Sequence, residues 1–338
     1  MPREKIIVIC PGRGSYSRET SGYLKKYLDL SLPEINFIEG KRKFNNQLSP
    51  LELDSLPFRA KVHMVGENAS ALIYACSFMD FTSIDREKYE IVAIAGNSMG
   101  WYTALALSGA VLNENAFELI DTMGSMMKDK IIGGQLIYPI IDRTWQTDHE
   151  KTFLVLDAIN KANAYVSIYL GGYIVIGGDN KSLTHLKKIL PPIDDYPFKI
   201  PYHGAFHTPL MNTISTNAFG IFPSSFFSKP NIPLIDGRGN IWESYSTNPQ
   251  DLYNYTLGTQ VTKAYNFTKS ITVAMKEFCP DKIVLLGPGN SLGGAVGQII
   301  VQSNWNNVNS KKTFLSNQNQ DPFLVSMGIA EQREIVSI

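Results

Sequence analysis

The sequence predicts an α/β fold, a parallel-sheet core interrupted by a small subdomain of order βαββαβ. Three observations predict it. Residues 5–10 and 91–95 are continuous apolar runs, as expected of strands covered on both faces in a parallel sheet. The second run feeds Gly96-Asn97-Ser98-Met99-Gly100 and then an apolar segment long enough for a helix, the strand-turn-helix context of a serine held on a sharp turn. From Gly133 to Pro201 the patterns follow the ferredoxin-like order βαββαβ. A chain of 338 residues is long for one hydrophobic core, which fits a core of residues 1–132 and 202–338 around an inserted unit of residues 133–201.

The elements justify themselves in order. The first strand ends in Pro11-Gly12-Arg13-Gly14-Ser15-Tyr16, a glycine-rich turn whose amides can face an anion or oxyanion. It lacks the third glycine of a dinucleotide fingerprint and the Gly-Lys-Ser/Thr of a phosphate loop. Residues 17–60 are polar and mixed, with a helix expected at Gly22–Leu30 and loop thereafter. Asn68–Met79 reads as an apolar helix. Asn113–Lys128 places Phe117, Leu119, Ile120, Met123, Met126 and Met127 at helical spacing. In the insertion, Gln135–Ile141 is a strand and Thr152–Ala162 a helix. Tyr165–Tyr169 and Tyr173–Gly177 are strands joined through Gly171-Gly172, Leu183–Leu190 is a helix and Phe198–Pro201 a last strand. Ile232–Ile235 and Lys282–Leu286 are later strands, the second leading into Gly287-Pro288-Gly289-Asn290. The tail after Val301, rich in Asn, Ser and Gln, reads as loop before a final short element.

Composition narrows the function classes. Hydrophobic residues make up 44% and charged residues 18%, ordinary for a globular protein. Formal net charge is zero, which gives no argument for nucleic acid as a partner. The basic runs Lys41-Arg42-Lys43, Lys187-Lys188 and Lys311-Lys312 read as solvated surface. Cys10, Cys76 and Cys279, odd in number and set among apolar residues, read as reduced, buried thiols rather than a disulfide framework or metal site. No apolar run approaches the ~20 residues of a membrane helix, and the first strand is too short for a signal sequence. A cytoplasmic protein without membrane insertion is expected.

Chemistry concentrates at the G-x-S-x-G turn. Glycines at both ends let strand and helix approach closely, Ser98 Oγ projects from the turn, and the Met99 amide can donate to an oxyanion. A serine at neutral pH needs a base within hydrogen-bond reach, most often histidine. His149 and His185 lie in polar segments of the insertion and His63 is isolated, which leaves His203 and His207 in the loop returning to the core. His207, between Phe206 and Thr208-Pro209, is the favoured base. No acid occupies an obvious third position, so a Ser-His-Asp triad is not supported.

The set PGRGSY, GNSMG, GAFHTPLM and GPGNSLGG, in this order and spacing, resembles the malonyl-CoA:acyl carrier protein transacylase family, which includes the acyltransferase domains of fatty acid and polyketide synthases. The likeness covers almost the whole chain. It implies an α/β-hydrolase-like core with the ferredoxin-like insertion between the serine and histidine motifs. It also implies ping-pong transfer, in which the serine takes an acyl group from a thioester and passes it to the phosphopantetheine thiol of an acyl carrier protein. Carried over by motif, Ser98 matches the nucleophile and His207 the base. Met99 and Arg13 match the residues whose backbone amides form the oxyanion hole. Gln260 matches a glutamine whose backbone carbonyl orients the histidine, so no aspartate is required. Acyl-CoA is then a substrate, no cofactor is permanently bound, no metal is needed, and a monomer is expected.

The acyl pocket departs from the family pattern. Met123 stands where malonyl-transferring members have the arginine that pairs bidentately with the substrate carboxylate, and methionine cannot replace that pairing. With Met126 and Met127 nearby, it suits a flexible apolar acyl chain instead, although Met126 and Met127 themselves read as helix core; Phe206, before the histidine, is expected in the same pocket. Asn97 replaces the usual histidine before the serine, and Trp101 replaces a glutamate, adding apolar bulk to the expected pocket. Arg13 replaces a glutamine and brings a positive charge to the same turn. Two expectations follow: a preference for non-carboxylated acyl groups because of Met123, or malonyl transfer retained through Arg13. Hydrolysis of the acyl ester, which would edit acylated carriers, is the competing activity, and a non-catalytic carrier-binding module the competing class.

Overall fold

The computed structural model describes residues 2–29, 31–128 and 130–338. Its strands are β1 (Glu4–Cys10), β2 (Tyr89–Gly96), β3 (Gly134–Pro139), β4 (Tyr165–Leu170), β5 (Tyr173–Gly178), β6 (Phe198–Lys199), β7 (Leu234–Ile235), β8 (Ile241–Trp242), β9 (Tyr265–Asn266), β10 (Lys282–Leu285) and β11 (Leu324–Ser326). They form two sheets. The core sheet runs β11-β10-β1-β2-β7-β8, parallel throughout except for β8, which folds back antiparallel on β7. Ile6 to Cys10 of β1 are fully buried, as their unbroken apolar run requires of a central strand covered on both faces.

The register of this sheet positions the site. β1 and β2 pair in parallel through Cys10 opposite Gly96, so the PGRGSY and GNSMG turns leave neighbouring strands side by side. They leave at the carboxyl ends of strands, where open α/β sheets place their binding crevices.

The second sheet runs β6-β3-β5-β4-β9, and its first four strands have the antiparallel ferredoxin-like order. Helices His149–Lys161 and Asn180–Ile189 cover one face. Strand alternation divides β5 between two cores: Ile174 and Ile176 pack under these helices, while Val175 joins the main core. The fifth strand, β9, pairs parallel with β4 and comes from chain beyond residue 201, so the small sheet draws one strand from the core segment.

Several expectations needed correction. The helix expected over Gly22–Leu30 spans Tyr23–Tyr27, and Leu30 lies outside the described residues. The stretch after it is not loop: helices Pro33–Phe44 and Pro50–Ser55 form there, each with a proline in its first turn. The second is opened by a capping box between Ser49 and Glu52. The tail also folds, into helix Lys311–Gln320, edge strand β11 and helix Ala330–Val336. Arg42 of the basic run is buried rather than solvated, ion-paired with Asp121 at 2.6 Å and donating to the carbonyls of Leu48 and Glu67 and to Asn68 Oδ1. Cys279 is exposed, unlike Cys10 and Cys76, because it ends helix Phe267–Phe278 at the surface. Among the described residues, no helix is long and apolar enough to cross a membrane.

Candidate active site

Ser98 sits at φ 56°, in the left-handed region, at the turn between β2 and helix Gly100–Leu107. The glycines on either side are steric necessities. A Cβ on Gly96 would run into the Gly100 backbone, and one on Gly100 into the carbonyl of Cys10 on the adjacent strand. The strain is held in place by packing on both sides and presents the hydroxyl at the mouth of the crevice.

His207, also at a positive φ of 58°, is only 4% exposed. Ser98 Oγ lies 2.8 Å from its Nε2, and its Nδ1 lies 2.6 Å from the Gln260 backbone carbonyl. A carbonyl only accepts, so Nδ1 carries the proton and Nε2 presents its lone pair to the serine hydroxyl. Gln260 also clamps the turn with its side chain: Nε2 donates to the Ser98 carbonyl at 3.1 Å, and Oε1 accepts from Tyr102 at 3.0 Å. Burial pushes the His207 imidazole down to about 4, and the nearby Arg13 guanidinium adds to the shift while the Gln260 carbonyl opposes it. The imidazole is therefore neutral at physiological pH, the form a base requires. The amides of Arg13 and Met99, on the two adjacent turns, engage no acceptor among the described residues.

Ser98 and His207 open onto a cavity of about 50 Å³. Met99, Tyr102, Met123, Met126, Met127 and Phe206 supply its apolar wall, so Met126 and Met127 line the pocket rather than serving as core alone. Arg13 lies in the wall with its guanidinium 4.6 Å from the centre of the Phe206 ring. Burial lowers its pKa to about 10, so it stays cationic. A second cavity of about 170 Å³ reaches Ser98 from the small sheet, between Asn97 and Arg13 on one side and Ile137, Ile168 and Val175 on the other. Ser291 and Leu292 of the GPGNSLGG segment line it too, while the Gly287 amide donates to Asp80 and its carbonyl accepts from Ser77.

Trp101 corrects an expectation. It lines neither cavity: it is fully buried, donates to Thr256 Oγ1 at 3.0 Å and meets Tyr255 edge-on. One helical residue is a turn of about 100°, so Tyr102, next along the helix, faces the cavity in its place.

Sequence patterns did not single out Tyr102, Ser70, Gly66 or Gly124 at this site, nor the support behind His207. There His203 Nδ1 lies 2.8 Å from Gln135 Oε1, Gln135 Nε2 donates to Ser167 Oγ at 2.6 Å, and Ser167 Oγ donates to the Phe206 carbonyl at 2.8 Å. This chain ties the small sheet to the residue preceding His207. Among the described residues no cluster of side chains could hold a metal ion.

Fold and site together place a serine hydroxyl against a buried histidine on an α/β strand-turn-helix elbow. No known family model matches the sequence, and no curated protein matches it. The fold does have close counterparts among solved structures. A malonyl-CoA:ACP transacylase of Synechocystis sp. PCC 6803 superposes with a TM-score of 0.74 at 14% identity, covering 98% of this chain and 100% of its own. An acyl-carrier-protein S-malonyltransferase of Burkholderia pseudomallei gives 0.75 at 16%, covering 98% of each chain. A malonyl-transacylase solved in complex with its type II polyketide synthase acyl carrier protein gives 0.69 at 15%, covering 94% of this chain and 100% of its own. The chain thus has the malonyl-CoA:acyl carrier protein transacylase fold over nearly its whole length.

Proposed function

We propose that the protein is an acyltransferase that carries an acyl group on Ser98 from an acyl-CoA to the phosphopantetheine thiol of an acyl carrier protein. The observation that carries this reading is the Ser98–His207–Gln260 relay at the mouth of an apolar-walled cavity. The fold likeness to transacylases, one of them bound to its carrier, favours a carrier thiol as the acceptor.

In the first half-reaction Ser98 Oγ attacks the thioester carbonyl and its proton passes to His207 Nε2. The Arg13 and Met99 amides would take the oxyanion. As the C–S bond breaks, His207 returns the proton to the departing thiol, leaving an ester on Ser98. In the second half the carrier thiol gives its proton to His207 and attacks the ester; the C–O bond breaks and Ser98 regains its proton. The imidazolium formed in each half is steadied by its Nδ1 bond to the Gln260 carbonyl, the role an aspartate fills elsewhere.

Intact-protein mass spectrometry tests this. Incubation with a panel of acyl-CoAs should add one acyl mass, lost in Ser98→Ala, and holo-carrier should discharge it onto its thiol. Free acid forming equally fast with and without carrier would assign hydrolysis instead. Absence of both acylation and labelling by an active-site phosphonate would leave only a carrier-binding module.

A further inference from the structure

Resting on the acyltransferase reading, we propose that Arg13, with Ser70, is the receptor for a free carboxylate on the acyl group that Ser98 carries. The argument begins from what the pocket leaves unpaired. Arg13 Nη2 and Ser70 Oγ are both sealed from solvent with no hydrogen-bond partner among the described residues. Both line the cavity that holds Ser98 Oγ. A cation and a hydroxyl in an otherwise apolar wall are costly to leave unsatisfied, and a carboxylate, accepting from both at once, satisfies them.

Arg13 has no local acid to neutralise it. None of the ion pairs among the described residues includes it. Glu67, which shares an adjoining cavity with Arg13, is engaged by Lys128 at 2.9 Å and Gln47 at 3.2 Å. His203 and His207, the other titratable groups near the guanidinium, are both held neutral, so neither adds a second positive charge, and an imidazole supplies no negative one. The phosphates of a CoA lie at the far end of the pantetheine arm, an extended chain away from the thioester that must meet Ser98.

The pocket is also shaped for the guanidinium. Arg13 Nη1 occupies the space that a Cβ on Gly66 would fill, and a Cβ on Gly124 would stand 2.5 Å from Ser70 Oγ. Only glycine at both positions leaves Arg13 and Ser70 room in the same wall. The Phe206 face beneath the guanidinium holds it in orientation while leaving its edge free to donate. Met123, in place of the expected arginine, then lines the path of the methylene carbons and need not bind charge.

The test is single-turnover loading of Ser98 in the full chain by malonyl-CoA, acetyl-CoA and butyryl-CoA, read by intact mass. Wild type should load malonyl at least tenfold faster than acetyl. Arg13→Gln should lower the malonyl-to-acetyl ratio of loading rates roughly a hundredfold, on the scale of stripping a buried charge pair of one partner. The ratio cancels any general effect on Ser98 or folding. Arg13→Lys should restore part of the ratio, Ser70→Ala should lower it several-fold, and exogenous guanidinium should raise malonyl loading in Arg13→Ala. An Arg13→Gln enzyme that loses both activities in equal proportion overturns the proposal. Loading of acetyl and butyryl but not malonyl by wild type overturns it while leaving the acyltransferase reading intact; loading of none of the three overturns both.

Discussion

The electrostatics of His207 make a quantitative demand on the pH profile of acylation. In the proposed mechanism attack by Ser98 needs a neutral imidazole, and the fraction neutral at a given pH is fixed by its pKa. An imidazole at the ordinary value near 6.5 would be only about 9% neutral at pH 5.5, so acylation would fall roughly tenfold between pH 7.5 and 5.5. Held at about 4 by burial and by Arg13, His207 is still roughly 97% neutral at pH 5.5, and the rate should change by only about 3% over that interval. Single-turnover acylation by p-nitrophenyl acetate, whose acyl group does not titrate, reads this directly, with the fall arriving near pH 4. Arg13→Gln removes the cation but not the burial, so its midpoint should move up while staying below 6.5. A wild-type midpoint near 6.5 would refute the buried, cation-facing environment assigned to the base. An unmoved midpoint in Arg13→Gln would refute the electrostatic link between the two residues.

The same depressed histidines shape stability. His207 and His203 have folded pKa values below their unfolded ones, so the unfolded chain binds more protons in acid; neither lowers stability above pH 6.5, and both do so as pH falls below it, His207 down to about 4. His207 alone should cost about 3 kcal/mol by pH 4, visible as a falling urea midpoint across this window. Arg42→Met strands the largely buried Asp121 and three acceptors, and should destabilise by about 3–5 kcal/mol in chemical denaturation, with Arg42→Lys intermediate. Gln260→Ala keeps the carbonyl on His207 but unpairs the Tyr102 hydroxyl and leaves the Ser98 carbonyl with the Trp101 amide as its one donor among the described residues. It should cost about 2–4 kcal/mol and slow acylation, whereas Tyr102→Phe should cost about 1 kcal/mol; equal behaviour of the two would contradict the clamp.

The core was legible wherever an element buries a long periodic or continuous apolar run. β1, β2 and the elements of the small sheet fall within a few residues of their expected positions for that reason. What sequence missed are elements that bury little. Helix Lys311–Gln320 buries only Phe314, so its pattern is indistinguishable from a polar loop, and only Ser310 accepting from the Thr313 amide marks its start. Helix Pro33–Phe44 is hidden in the same way by its charged exterior, although Ile35 and Ile38 face the core. Arg42 was misread because a buried ion pair and a solvated charge have the same letter in a sequence; Asp121, its partner, lies on a helix reached only through the fold.

At the site, legibility followed how strongly backbone geometry constrains residue type. Ser98 between two glycines is nearly spelled out, because no other pair allows strand, turn and helix to close on one another. The pocket wall carries no such signature: a one-residue step around helix Gly100–Leu107 decides whether Trp101 or Tyr102 faces the cavity, and the helix register relative to the core settles it. The same logic bears on Arg13 and Met123. Taken one position at a time, Met123 argues against a charged acyl group and Arg13 is an anomaly. In three dimensions they are linked, because the guanidinium stands in space that Gly66 leaves open, beside a Ser70 hydroxyl that Gly124 leaves uncovered. Introducing an arginine at position 123 would bring a second cation into a wall that already holds one, a like-charge contact with no counterion among the lining residues. Occupation of the wall by Arg13 is thus itself a physical reason for an uncharged side chain at position 123. Methionine, long and unbranched, fills the remaining space without a polar atom that burial would leave unsatisfied.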